Sequence, residues 1–300
     1  MSDKIREVLK LLIEASHEFN DVPWELGFSG GKDSTVVLSL LVEAIRRGAE
    51  IPKLYVVYAD TLVEHPELRR EALETLESLK DIPNVVPVRL TPREDFVSMM
   101  VERGYPAPSF RFRWCMARLK IRPMQDFLRS LGRYVQVSGI RAAESDERTR
   151  RYAAAGKVVR GERPIVMPIL DWTTEDVFNY LKMHKRWDGK PFDYLLKLYG
   201  VEQEGCGCAL YTDVRFGCWV CTVVRIDKMP TPPILKRTRE RILDISRDPR
   251  YREFEDGKAG QAERGGQEGG GEGVPRSRRE VSGGLRIRHP RVEGKVDGRN

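Results

Sequence analysis

Apolar residues recur every three or four positions through "DKIREVLKLLIEASHEF", residues 3 to 19, the spacing of a helix with one buried face. After Pro23 the pattern changes to "WELGFSGG", a short strand running into a glycine-rich turn, and helical spacing returns from about Ser34 to Arg47. In "KLYVVYADT" the apolar residues are consecutive, which suits a strand covered on both faces. The pattern then predicts a helix around Pro66 to Lys80, a strand at "NVVPVRL", helices around Arg93 to Arg103 and after Trp114, strands at "RYVQVSG" and "PIVMPIL", and a helix opening at "DWTTEDVFNYL". Connections this long cannot be hairpins. Strands alternating with helices predict an α/β fold, doubly wound, with a mostly parallel sheet.

The pattern changes after about residue 185, where aromatic and basic residues surround a cysteine cluster; Pro230, Pro232 and Pro233 then interrupt the chain before a helix near Ile234 to Arg247. From Asp256 onward the chain holds 12 of its 26 glycines, with ten Lys/Arg against seven Asp/Glu, a composition that favours disorder. The expected division is a main domain over 1–230 that includes the cysteine cluster 206–221, a helical extension over 231–255, and a disordered Gly/Arg-rich tail over 256–300. The net charge of +7 permits a polyanionic partner without requiring one, because acidic and basic residues are mixed along most of the chain. No apolar run approaches the length of a membrane span, and the charged "MSDKIREVLKLL" is no signal peptide, so a cytoplasmic protein without a membrane partner is expected.

The chemistry concentrates first in Ser29-Gly30-Gly31-Lys32-Asp33-Ser34. A strand, a glycine-rich turn and a helix start bring backbone N–H groups and a helix N-terminus to bear on a phosphate, with Lys32 as a point charge and Ser29 and Ser34 as hydroxyl donors. The ATP-hydrolysing P-loop needs a Ser or Thr directly after its lysine to hold magnesium; here Asp33 stands there, and Leu26 lies near the position of its first glycine. A G-x-G-x-x-G dinucleotide fingerprint is absent as well.

The hexapeptide instead resembles the PP-loop of the N-type ATP pyrophosphatase and adenine nucleotide alpha hydrolase superfamily. That resemblance implies ATP with Mg²⁺, a loop that grips the β and γ phosphates, and cleavage between the α and β phosphates. Further segments are similar to the phosphoadenylylsulfate (PAPS) reductase-like branch: "YADTLVEHPE" with Asp60 and Thr61 at a strand end, "SGIRAAESDERTRR" with Gly139, Arg141, Glu144 and Arg148, and "PILDWTTEDVFNYL" before a capped helix. The resemblance implies that Ser29 to Ser34, Asp60, Thr61, Gly139 and Arg141 bind nucleotide. It implies that Arg141, Glu144 and Arg148 hold an anionic substrate, and that Lys32, Asp33 and Arg141 act in catalysis. His65 is a weak addition to this cleft.

Five cysteines remain: Cys206 and Cys208 as C-x-C, Cys218 and Cys221 as C-x-x-C, and Cys115 in "RWCMARLKIRP". Four local thiolates suit a structural Zn²⁺, whereas Cys115, the C-x-x-C and one of Cys206 or Cys208 could ligate a [4Fe–4S] cluster. Resemblance favours the cluster. Adenylylsulfate reductases pair a segment similar to "CMARLKIRP" with a later C-x-x-C, although Trp114 stands here for the first of their two adjacent cysteines. "RFGCWVCTVV" resembles the DNA phosphorothioation sulfurtransferases (DndC-type). The expectation is therefore ATP-dependent sulfur transfer to nucleic acid, DNA or tRNA, fed by a sulfur donor such as a cysteine desulfurase. The alternatives are a reductase that forms sulfite from phosphoadenylylsulfate or adenylylsulfate, disfavoured because no cysteine follows Cys221, and a metal-stabilised nucleotide-binding subunit without turnover.

Overall fold

A computed structural model describes residues 3–109, 112–142, 156–200, 218–222 and 232–247. All of them fall in one compact unit, Met1–Ala259, and the second unit, Gly260–Asn300, lies wholly outside the described residues, as does the expected tail. The chain runs α1 (Asp3–Glu18), β1 (Trp24–Phe28), α2 (Lys32–Arg46), β2 (Leu54–Ala59), α3 (Pro66–Glu77), β3 (Val85–Leu90) and α4 (Phe96–Val101). A π-helical turn (Met116–Ile121) leads into α5 (Arg122–Leu131), followed by β4 (Val135–Val137), β5 (Val158–Val159), β6 (Ile165–Val166), α6 (Thr174–Met183), α7 (Asp193–Leu198) and α8 (Pro233–Arg247).

The strands form one sheet in the order β3-β2-β1-β4-β6-β5, every pairing parallel except β5 against β6. This is the doubly wound α/β fold read from the sequence. The chain moves outward through β2 and β3, then returns across β1 to β4, so the topological switch lies between β1 and β4, where open α/β sheets bind their ligands.

The core follows from the apolar spacing. Ile5, Val8, Leu9, Leu12 and Ala15 of α1 and nearly the whole apolar set of α2 pack against Trp24, Leu26 and Phe28, the residues of one face of β1. α6 starts at a capping box, Thr173 accepting from the Asp176 N–H while the Asp176 carboxylate accepts from the Thr173 N–H, which fixes its first turn near β6.

Several elements are shorter than the pattern predicts. The helix expected over Arg93 to Arg103 runs only Phe96–Val101, because the Asp95 side chain accepts from the Val97 and Ser98 N–H groups and so caps it late. The helix after Trp114 begins as a π turn; Pro123 lacks the N–H that an α-helix would direct at the Leu119 carbonyl. The strand at "PIVMPIL" contracts to Ile165–Val166, and an antiparallel edge strand, β5, covers it. No helix among the described residues is long and apolar enough to cross a membrane.

Candidate functional site

β1 ends at Phe28 and α2 begins at Lys32, so the loop between them sits at the carboxyl edge beside the switch point. Two serines shape it. Ser29 Oγ lies 3.0 Å from Ser34 Oγ and accepts from the Gly31 N–H, while Ser34 Oγ donates to the Gly31 carbonyl at 3.0 Å. Gly30 takes φ +74°, and a Cβ there would meet Ala72 of α3 at 3.3 Å, so both backbone conformation and close packing call for glycine. Gly31 is the N-cap of α2 and supplies no side-chain cap, which leaves the first turn's N–H groups facing the carboxyl edge.

Lys32, Asp33 and Arg141 form a charged chain. Asp33 holds the Lys32 ammonium at 2.9 Å with one carboxylate oxygen and the Arg141 Nε at 2.7 Å with the other. Arg141 also donates to Thr174 Oγ1 at 3.0 Å and is only 2% exposed. Lys32 lies 5.2 Å over the Tyr199 ring, a cation–π contact that steadies its head. Gly139 lets the loop after β4 close on this turn: its Cβ would stand 3.4 Å from the Asp33 carbonyl carbon. Thus Ser29 to Ser34, Gly139 and Arg141 converge, and Arg141 lies behind the loop as the buried anchor of Asp33.

Asp60 and Thr61 occupy the end of β2. Asp60 is fully buried, with Arg69 bidentate on its carboxylate at 2.8 and 2.9 Å, Arg89 at 2.7 Å and the Leu62 N–H at 3.2 Å. Burial alone would raise its pKa; the hydrogen bonds and charge of Arg69, with the Leu62 N–H and the Arg89 charge, outweigh burial and hold it below the usual carboxylate range. Leu62 then takes φ +67°, a left-handed conformation that strains a side chain of its size. Thr61 donates both its N–H (3.0 Å) and its hydroxyl (2.6 Å) to one oxygen of Glu64, whose other oxygen is buried without a partner among the described residues. His65, also buried, has both ring nitrogens unpartnered there.

This β2–α3 loop also receives the cysteine segment. Cys218 forms an antiparallel bridge with Glu64, and the Trp219 N–H donates to the Val63 carbonyl at 3.0 Å. Cys115 and Cys218 pack on an apolar layer of Val63, Phe96, Trp114, Leu119, Val220 and Ile242, and Arg239 of α8 donates to the Cys221 carbonyl at 2.9 Å. Burial first, then the Glu64 charge and the neighbouring thiols, push the Cys218 thiol up to about 12. Cys115, Cys218 and Cys221 are within electrostatic reach of one another. No group of three or more His, Cys, Asp or Glu side chains among the described residues is arranged to hold a metal ion, and the expected four-thiolate set draws on Cys206 or Cys208, which are not among them. Cys206, Cys208, Glu144 and Arg148 lie outside the described residues.

Sequence reasoning did not single out Arg69, Arg89, Thr174 or Tyr199. A signal existed only for Arg69: an arginine one turn into the helix that follows the strand-end aspartate.

A doubly wound sheet, a glycine-rich turn after β1 and an open helix start at the switch point define a nucleotide-binding α/β protein. The family profile of the phosphoadenosine phosphosulfate reductase domain matches residues 25–223, and the chain belongs to that family. Two uncharacterized proteins of Methanocaldococcus jannaschii are 27% identical over 219 residues and 26% identical over 182 residues, covering 72% and 60% of this chain. The matches span only 40% and 39% of those relatives' own lengths. A phosphoadenosine 5'-phosphosulfate reductase of Alkalilimnicola ehrlichii is 35% identical over 65 residues, 22% of this chain and 25% of that protein. Among solved structures, a PAPS reductase of Candida auris in a phosphate complex covers 66% of this chain and 92% of its own, at 16% identity and TM-score 0.42. The NAD+ synthetase of Burkholderia pseudomallei covers 81% and 90%, at 13% identity and TM-score 0.39.

Proposed function

We propose that this chain is an ATP-dependent sulfur-transfer enzyme that forms AMP and pyrophosphate, with nucleic acid as the acceptor. The observation that carries the reading is the turn from β1 into α2, where Asp33 follows Lys32 in place of the magnesium-holding hydroxyl of a P-loop and is held by Lys32 and Arg141. A loop of this kind grips the β and γ phosphates together as a leaving group. In the step that follows, an acceptor oxygen attacks the α-phosphorus, the bond to the β-phosphate oxygen breaks, and pyrophosphate leaves with its negative charge facing Lys32 and the first turn of α2. A sulfur donor at the sulfide level then attacks the adenylated centre, forming the bond to sulfur and expelling AMP.

Bridging of the cysteine segment to the Thr61–Glu64 loop supports pairing sulfur chemistry with the nucleotide edge. On this reading Cys115, Cys218 and Cys221, with Cys206 or Cys208, would ligate a [4Fe–4S] cluster, or the C-x-C and C-x-x-C would hold Zn²⁺; Cys115 and Cys218 share one apolar layer, and Cys115 and Cys221 both lie within electrostatic reach of Cys218, and either group would supply electrophilic or structural anchoring beside the loop. Cytoplasmic location and supply by a cysteine desulfurase belong to the same proposal, with a thiol reductant taking the desulfurase persulfide to the sulfide level and leaving as a disulfide.

Incubation with ³⁵S-labelled sulfur donor, ATP, and either DNA or tRNA is expected to give label in one nucleic acid only when ATP is present. The family description favours a second reading, reduction of phosphoadenylylsulfate. Sulfite formed from that nucleotide with a thiol reductant, and no label in nucleic acid, would establish it instead.

A further inference from the structure

A cavity opens on the carboxyl edge, away from the switch point. It starts where β3 ends, at Leu90 and Thr91, lies between the α4 region and α5, and encloses about 630 Å³, within the range of about 300–1,000 Å³ typical of small-molecule sites. Four arginines line it, Arg93, Arg103, Arg118 and Arg122, against two carboxylates, Glu94 and Asp126. Glu94 is taken by Arg103, at 2.5 Å, and Asp126 by Arg129 outside the lining, at 2.8 Å. Arg93, Arg118 and Arg122 therefore face the cavity with no ion pair among the described residues; Arg118 donates only to the Tyr105 hydroxyl, at 3.2 Å.

The walls between these cations are aromatic and held in place. Tyr105 stacks at 7° on Phe112 and lies 5.0 Å from the Trp114 ring, while Phe127 meets Tyr55 edge-on at 5.6 Å. Guanidinium forks match phosphate oxygens, and fixed aromatic faces accept a planar base. We infer that this cavity binds a nucleotide unit, phosphate against Arg93, Arg118 and Arg122 and base against Tyr105 or Phe127. β2 separates β3 from β1, which places the cavity roughly 10 Å along the sheet from the loop's strand at the usual spacing between strands. It is thus distinct from the phosphate-gripping turn and near enough to present a bound group to it. Its role as the seat of the sulfur acceptor rests on the function proposed above; its binding chemistry does not.

The same nucleotide chemistry comes from a free nucleotide or from a single strand. The test is fluorescence anisotropy of the full chain, without ATP, using a labelled AMP and a short labelled single-stranded oligonucleotide as probes. Arg93→Ala/Arg118→Ala/Arg122→Ala is expected to weaken binding of at least one probe by about tenfold or more while ATP affinity is unchanged. For the oligonucleotide, the slope of log affinity against log salt should fall by about 2, three phosphate contacts at about 0.7 each. Arg93→Lys/Arg118→Lys/Arg122→Lys, which keeps the charge, should retain the wild-type slope and so separates lost contacts from a misfolded chain. Arginine dependence confined to the oligonucleotide identifies a strand, and the same dependence for AMP identifies a free nucleotide. Equal binding of both probes by wild type and the triple alanine variant overturns the inference. Because ATP is absent, an inert loop would leave a positive result standing, and a negative result would leave the loop chemistry standing.

Discussion

Lys32→Ala is expected to reduce ATP-dependent pyrophosphate release by about 10²–10³-fold, the usual loss when one preorganised donor to developing charge is removed. Lys32 is buried on the first turn of α2, fixed by Asp33 at 2.9 Å and by the Tyr199 face at 5.2 Å. That fixation is what makes its charge useful. A lysine free to follow solvent would have to be aligned at each turnover, whereas on the proposed reading this one is aligned before ATP binds. Alanine is a good helix former, and Asp33 keeps Arg141 at 2.7 Å, so the fold should survive the change. Steady-state kinetics locate the loss: a fall in kcat shows that Lys32 acts on the leaving pyrophosphate, and a rise in KM alone shows that it only binds ATP. An unchanged kcat/KM would remove Lys32 from the reaction.

Glu25→Gln is expected to remove a large pH dependence from the stability of the fold. Glu25 points away from the Trp24–Leu26–Phe28 face, is 1% exposed, and leaves one carboxylate oxygen without a partner among the described residues. Burial raises its pKa from 4.5 to about 7. The folded chain therefore binds a proton that the unfolded chain has released throughout that window. Stability is greatest below the lower value and falls as pH rises through the upper one, by about 3 kcal/mol at full ionisation. A glutamine at this position cannot ionise, so the difference in unfolding free energy between variant and wild type should shift toward the variant by that amount between acid and mildly alkaline pH. Denaturant titrations across this range check it. A constant difference would show that Glu25 ionises as readily folded as unfolded.

The legible parts of this fold and site are those whose causes are local. The loop could be read because Ser29, Gly31 and Ser34 make their bonds to one another within six residues, and β2 because an uninterrupted apolar run has little choice but a strand covered on both faces. The surroundings of Asp60 were legible only in part. Arg69 follows it by nine positions, one turn into α3, but Arg89 comes from the edge strand β3, and pairing across neighbouring strands leaves no mark on hydrophobic period. Arg141 stood out as a strand-end arginine, but its attachment to Asp33 crosses 108 positions and depends on β4 lying next to β1. Short elements escaped for another reason: α7 has six residues and β5 two, too few for a period to emerge. Bridging of Cys218 to Glu64 was equally hidden, since the two meet only after the chain has crossed the sheet.

The central claim is that this loop directs cleavage to the α–β bond, and one measurement addresses it directly: the products of ATP labelled separately at the α and γ phosphates, followed with wild type and Lys32→Ala in the presence of DNA or tRNA and a sulfide-level donor. α-Label is expected in AMP and γ-label in pyrophosphate, both lost in the variant. α-Label in ADP with γ-label in free phosphate would contradict it.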